Sequence, residues 1–289
     1  MSYPDVGSSF YLPKLHFMTF TPTSKSNQQE LFKFAFIPKY QERIQELAED
    51  IADQETWDFL SNSAAGTPKR YPILKNYLEH TFRKLQSEKK VVFTADNKFA
   101  AFNTGLVTAN LEDIIAYFES YKAPVASGSA PYFFKGFIKK SDSKLLTHFG
   151  HNLPDIANYF DKPDLLLFNP KSQIVPDLDH IINDNLDRFP AHLQGAGDDE
   201  LRRQLYGAIE ETNKKVRSNY KIAIPQYYSG RIQLLLPLCL TAGSPNPDLA
   251  LVTYKINDIM YSARTCLTLE MAYNNARLIV KPQSDWLKP

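Results

Sequence analysis

Few features of this sequence belong to a secreted or membrane-spanning protein. Among 289 residues there are two cysteines, Cys239 and Cys266, too few for a disulfide framework. Both sit in apolar strand-like runs, where a thiol in a reducing compartment packs as a small hydrophobe. The longest apolar run, Leu234 to Leu240, is far short of a bilayer span and contains Pro237. The opening residues MSYPDVGSSFYLPKLHF have neither the basic start nor the apolar centre of a signal peptide. A cytoplasmic protein without a membrane partner is expected. An excess of one charge is also lacking, since 33 Lys and Arg stand against 32 Asp and Glu, a net charge of +1. Nucleic-acid binding by counterion release over the whole surface needs a basic excess, so only a local patch is open to that chemistry. Neither a P-loop nor GxGxxG occurs, and GxSxG is missing too. Common nucleotide hydrolases and serine hydrolases therefore find no support.

What is present is enough apolar sequence for a large core. The hydrophobic fraction is 43% and the charged fraction 22%, the balance of a globular chain. The 19 Phe and 16 Tyr mostly serve that core, because each ring buries a large apolar area. Residues 1–30 are polar and rich in Pro, Ser, Thr and Gln, and read as an N-terminal arm. Residues 31–289 then form one α+β domain. The polar connection HLQGAGDDE offers an alternative division into sub-lobes 31–192 and 199–289.

Helical spacing places Ile44, Leu47 and Ile51 on one stripe, and Leu74, Tyr77, Leu78, Phe82 and Leu85 on another. The period then falls to two in VVFTADNKFAAFNTGLV, a hairpin turning at residues 95–98. LEDIIAYFESY, with Asn110 before it and Asp113 three residues later, reads as a capped helix. APYFFKGFIKK is strand-like. A short helix is expected around 156–160, a buried strand at Leu165 to Phe168, and helices over DLDHIINDNLDRF and about 199–219. AIPQYY, RIQLLLPLCL, DLALVTYK and MYSARTCLTL are strands, and LEMAYNNARLIV is helical. The late strands follow one another through short turns, which predicts a largely antiparallel sheet packed with several helices.

Several groupings invite chemistry. His148 and His151 have HxxH spacing, but Gly150 and Pro154 argue for loop histidines bonded to backbone, with no third ligand nearby. His180 and Asp184 share a helix face, with Asp177 near the same end, and the three could hold Mg²⁺ for a phosphodiesterase or nucleotide hydrolase. The helix dipole accounts for the same carboxylates without metal, so no metal ligand is assigned. Pro247-Asp248 before LALVTYK resembles a PD-(D/E)xK nuclease, but Thr253 stands where the second acid belongs. In KGFIKK only the first residues fit an RNA-stacking strand. Arg and Lys on the outer face of the 199–219 helix could instead dock a protein.

The carboxyl-terminal segment is the most unusual. MAYNNARLI crowds Tyr273, Asn274, Asn275 and Arg277 among strongly apolar neighbours, although Asn is a poor helix former. Arg277 suits a buried carboxylate such as Glu270, or a ligand phosphate. Arg231 and Gln233 alternate with Ile232 and Leu234 and share a strand face. Asn103 is a polar residue in an apolar strand end. Together these seven residues read either as a network fixing helix to sheet or as a ligand site.

The segments FNTGL, GRIQLLLPLCL, DLALV, TCLTLEMAYNNARLI and SDWL resemble the bacterial family of domain of unknown function 3825. The likeness runs from about Phe34 onward, with MAYNNARL its most specific part. It supplies no catalytic residue to carry over, and any cofactor stays unknown. Some relatives join this chain type to cold-shock or other RNA-binding modules, which implies a setting in RNA metabolism or stress response. The expected function is thus an RNA- or nucleotide-associated regulatory domain in which Arg meets phosphate, Asn reads a base or ribose edge and Tyr stacks. The sequence leaves open whether the domain is an enzyme and how many copies assemble.

Overall fold

Alternating apolar residues build two sheets in the computed structural model, which describes residues 29–59, 70–121 and 130–289. The first sheet has the order β1 (Ala35–Phe36), β5 (Tyr132–Lys139), β4 (Asp113–Ser120), β3 (Phe99–Val107), β2 (Val92–Phe93). The second runs β6 (Gln173–Pro176), β10 (Met260–Leu267), β9 (Leu249–Asn257), β8 (Arg231–Leu238), β7 (Ile224–Tyr228). In each sheet one short edge strand, β1 or β6, pairs parallel, and every other pairing is antiparallel. Seven α-helices among the described residues complete an α+β fold: α1 (Gln29–Phe34), α2 (Tyr40–Glu46), α3 (Pro72–Ser87), α4 (Ser143–Phe149), α5 (Leu178–Asn185), α6 (Asp198–Ser218) and α7 (Leu269–Ala276). None of the described helices is long and apolar enough to cross a membrane.

Both faces of the first sheet are covered. Ala100, Phe102, Ala116 and Phe118 pack under Leu31 of α1 and Phe82 and Leu85 of α3. The alternate residues Ala101, Ile115 and Tyr117 meet Leu145 and Phe149 of α4. This two-sided burial explains why 111–121 is not the helix its capping pattern predicts. Ile114 through Phe118 are all buried, and one amphipathic stripe cannot bury five consecutive side chains, whereas a central strand can. Asn110 belongs to a turn closed by Thr108 N–H to Glu112 O at 2.9 Å, with Leu111 at φ +63°. Gly105 is required in β3: it adopts φ +73°, and a Cβ there would lie 2.6 Å from the Tyr77 hydroxyl.

Two further expectations fail between residues 150 and 168. Residues 151–160 form no helix; the Asn158 N–H bonds the Glu88 carboxylate and the Ile156 carbonyl accepts from Lys90 Nζ at 2.7 Å. Backbone groups satisfied by side chains gain nothing from a helical turn. Pro163–Leu166 is a short 3₁₀ turn, not a strand, and Leu167 is exposed. Four apolar residues are too few to fix a period.

The second sheet buries Leu234, Leu236, Leu238, Leu249, Leu251, Tyr261 and Ala263 beneath α5 and α6. Its opposite face carries Ile224, Leu235, Ala250 and Val252 into a cluster with Leu106 and Ile114 of the first sheet, and with residues of α2, α3 and α7. The largest core therefore takes side chains from both sheets. Burying about 20 such residues, at about 1.5–3 kcal/mol each before entropy, is the main force joining them.

Candidate functional site

Helix α7 begins where β10 ends, because the Thr268 hydroxyl accepts from the Met271 N–H at 3.3 Å and caps the first turn. The helix then crosses the face of the second sheet that holds Ile224, Leu235 and Val252. Two polar systems fasten it. The Asn275 Nδ2 donates to Gln226 Oε1 at 3.1 Å, and Gln226 Nε2 donates to Gln233 Oε1 at 2.9 Å. Gln226 and Asn275 are buried and Gln233 half-buried, so a chain of amides runs from the helix out along the sheet. At the helix end, Arg277 Nε and a terminal nitrogen reach the two Glu55 oxygens at 2.5 and 2.9 Å.

This pair is nearly dry, with side-chain exposures of 11% for Arg277 and 7% for Glu55. The guanidinium lies 4.9 Å from the Trp57 ring centroid and 4.6 Å from that of Tyr77. Bidentate pairing between aromatic faces is the arrangement that best offsets removal of a guanidinium from water. The carboxylate partner is Glu55, not Glu270. Tyr273 packs edge-on against Phe59 beside the pair, and burial, followed by the Glu55 charge, pushes its phenol up to about 12. The Trp57 indole N–H and the Asn274 side-chain oxygen have no hydrogen-bond partner among the described residues.

Beyond α7 the same sheet face carries exposed and half-buried residues, and none of the described α-helices is seen to cover it. Register places Tyr228 opposite Arg231, and Tyr254 opposite Ser262, which in turn lies beside Val175. Alternation from the buried residues 250 and 252 puts Tyr254 and Ile256 on this face. The Arg231 guanidinium lies 5.5 Å from the Tyr254 ring centroid. Arg231, Ile256 and Val175 are exposed, and Tyr254, Met260 and Ser262 half-buried. Among the described residues no carboxylate pairs with Arg231. The Ser229-Gly230 turn, with both residues at positive φ, projects at the end of this face.

The other candidates lie elsewhere. Asn103 belongs to the first sheet, where it donates to Asp113 at 3.1 Å and accepts from the Gly105 N–H, while Lys140 pairs with the same Asp113. Asp177 caps α5 and pairs with Arg264 at 3.2 Å, whereas His180 faces Asp184 at 2.6 Å. No group of three or more His, Cys, Asp or Glu able to hold a metal occurs among the described residues. His148 is not a loop residue: it ends α4, stacks on Phe99 at 3.9 Å and meets the Tyr117 hydroxyl at 2.6 Å. Asp248 staples the 240–248 loop through the N–H groups of Leu240 and Thr241.

Compared with known protein families, residues 48–286 match the model described as domain of unknown function (DUF3825). The chain belongs to the DUF3825 family. Comparisons with curated proteins and with solved structures gave no match. Both the Arg277–Glu55 system and the exposed sheet face lie inside the DUF3825 region, whereas α1, β1 and α2 precede it.

Sequence reasoning missed five members of this arrangement: Glu55, Trp57 and Tyr77 as partners of Arg277, Gln226 and Tyr254. Gln226 carried a usable signal, since it and Gln233 are equidistant from the Ser229-Gly230 turn and must face each other in a two-residue hairpin. Tyr254 depends on a register set across the 239–248 loop. Glu55 is separated from Arg277 by 222 residues and carried no local signal.

Proposed function

We propose that the domain binds RNA or a nucleotide, as a regulatory module in the cytoplasm, at the open half of the second sheet. The carrying observation is Arg231, an exposed guanidinium over the Tyr254 ring with no carboxylate among the described residues to neutralise it. An unneutralised guanidinium meets a phosphate bidentately, and an arginine–aromatic platform stacks a base whatever its identity. Arg277 takes no part in contacting phosphate in this reading, because both its engaged nitrogens face Glu55. Its role, with Tyr273, Asn274 and Asn275, is to hold α7 so that the face beyond remains open. The stress-response setting implied by the family resemblance belongs to the same proposal.

The test is fluorescence anisotropy with labelled single-stranded RNA and with labelled ATP and GTP, alongside mass spectrometry of molecules that co-purify. Arg231→Ala and Tyr254→Ala are each expected to weaken binding about tenfold or more, from the loss of one stacking or phosphate contact. A wild-type protein that binds none of these probes, or variants that bind as tightly as wild type, would end the proposal.

A further inference from the structure

The amide chain beneath α7 has a direction, and its last member faces the open sheet. Asn275 donates to Gln226 and Gln226 donates to Gln233. Gln233 has thus used its oxygen as an acceptor, and its Nε2 has no partner among the described residues. Both preceding amides are buried, so water does not compete with those bonds, and a chain of aligned amides polarises its members cumulatively. Gln233 therefore presents N–H donors, not an oxygen, to whatever lies on the face. It stands two residues from Arg231 on β8, roughly 7 Å along the strand and on the same face. Tyr254 occupies the neighbouring strand.

We infer that Gln233 is a specificity-determining residue that selects bases with a carbonyl at pyrimidine position 4 or purine position 6. This deepens the proposed function and rests on it. A base stacked on Arg231 and Tyr254 turns an edge toward the sheet, and Gln233 Nε2 can complete a hydrogen bond there only with an acceptor. Uracil O4 and guanine O6 are acceptors, whereas adenine and cytosine carry amino groups at the corresponding positions. Two facing donors leave both unpaired in a half-buried setting, which is the physical source of rejection. The preferred ligand is accordingly a single-stranded segment containing uracil or guanine. Because Arg231 is the one cation invoked on this face, the affinity responds weakly to salt.

The experiment is an anisotropy titration of fluorescein-labelled oligouridylate, oligocytidylate and oligoadenylate of equal length, against wild type and Gln233→Leu. Oligocytidylate is the informative partner for oligouridylate, since the two pyrimidines differ at position 4 by an amino group in place of a carbonyl. Wild type is expected to prefer oligouridylate over oligocytidylate about two- to tenfold, the range for one neutral hydrogen bond. Gln233→Leu is expected to bind the two equally. A second variant, Gln233→Glu, substitutes an acceptor for the donor and should reverse the preference even as overall affinity falls. Far-UV circular dichroism and melting of both variants check that the sheet is intact. Equal binding of both pyrimidines by wild type, with Arg231→Ala still defective, overturns this inference and leaves the proposed function standing. A preference for oligocytidylate overturns it as well, by requiring the amide chain to run the other way. Failure of wild type to bind any oligonucleotide or nucleotide defeats both.

Discussion

The two halves of one sheet face use the same side-chain chemistry to opposite ends. At the end of α7, Arg277 is enclosed by Trp57 and Tyr77 and both of its engaged nitrogens meet Glu55. Beyond α7, Arg231 has an aromatic neighbour but no carboxylate among the described residues. The difference lies in what packs above. Where a helix excludes water, an arginine must bring its own counter-charge or destabilise the fold; where water remains, no such requirement exists. The largest effect should therefore come from breaking the covered pair. Arg277→Leu or Glu55→Leu should each cost about 3–5 kcal/mol in urea unfolding, because each strands the other charge. The double substitution should recover a good part of that loss. Single variants as stable as wild type would erase the distinction between the two halves.

A second comparison within the interior has a smaller expected effect. On α3, Tyr77 faces the satisfied Arg277 pair, while Glu79 is 5% exposed and neither carboxylate oxygen has a well-formed hydrogen bond among the described residues. Burial pushes the Glu79 carboxyl up to about 7, partly opposed by Arg83 and the Leu31 N–H and reinforced by Glu30. A carboxyl that holds its proton more tightly when folded favours the native state at low pH. That advantage is complete below the ordinary carboxylate value and fades as pH rises through about 7. Above pH 8 the native state should be less stable, relative to Glu79→Gln, by on the order of 2–3 kcal/mol. Urea midpoints for the two proteins should converge near pH 4 and separate toward pH 8. Parallel curves across that range would show that Glu79 is solvated or paired.

Most of the second sheet could be read from the sequence because its strands are consecutive and joined by short turns. Alternation then assigns the faces, and the helical reading of LEMAYNNARLIV coincides with α7. The first sheet was harder: β4 is buried on both sides, so its apolar run has no period to reveal it, and Asn110 and Asp113 imitate a helix start. The candidate site was legible as a set of residue types and not as a place. Asn274, Asn275, Arg277, Gln233 and Arg231 announce buried or face-sharing polarity, yet their partners Glu55 and Gln226 come from other elements. Nothing in MAYNNARLI distinguishes an arginine aimed at phosphate from one aimed at a glutamate 222 residues earlier. Local pattern reports that a polar group will be buried, while tertiary packing decides whom it meets.

The smallest expected change in stability completes the contrast. Arg231 is exposed, and its visible partner is one face of Tyr254. Its removal strands no buried charge and opens no cavity. Surface substitutions of that kind stay within about 0.5 kcal/mol, and an exposed cation–aromatic contact contributes about 0.5–1 kcal/mol at most. Arg231→Ala should therefore unfold in urea at nearly the wild-type midpoint, with an unchanged slope. A loss of about 2 kcal/mol or more would place Arg231 in the same structural role as Arg277, and the open half of the sheet would then hold the fold together just as the covered half does. An unchanged midpoint together with weakened RNA or nucleotide binding is the combination that separates a residue kept for a ligand from one kept for the core.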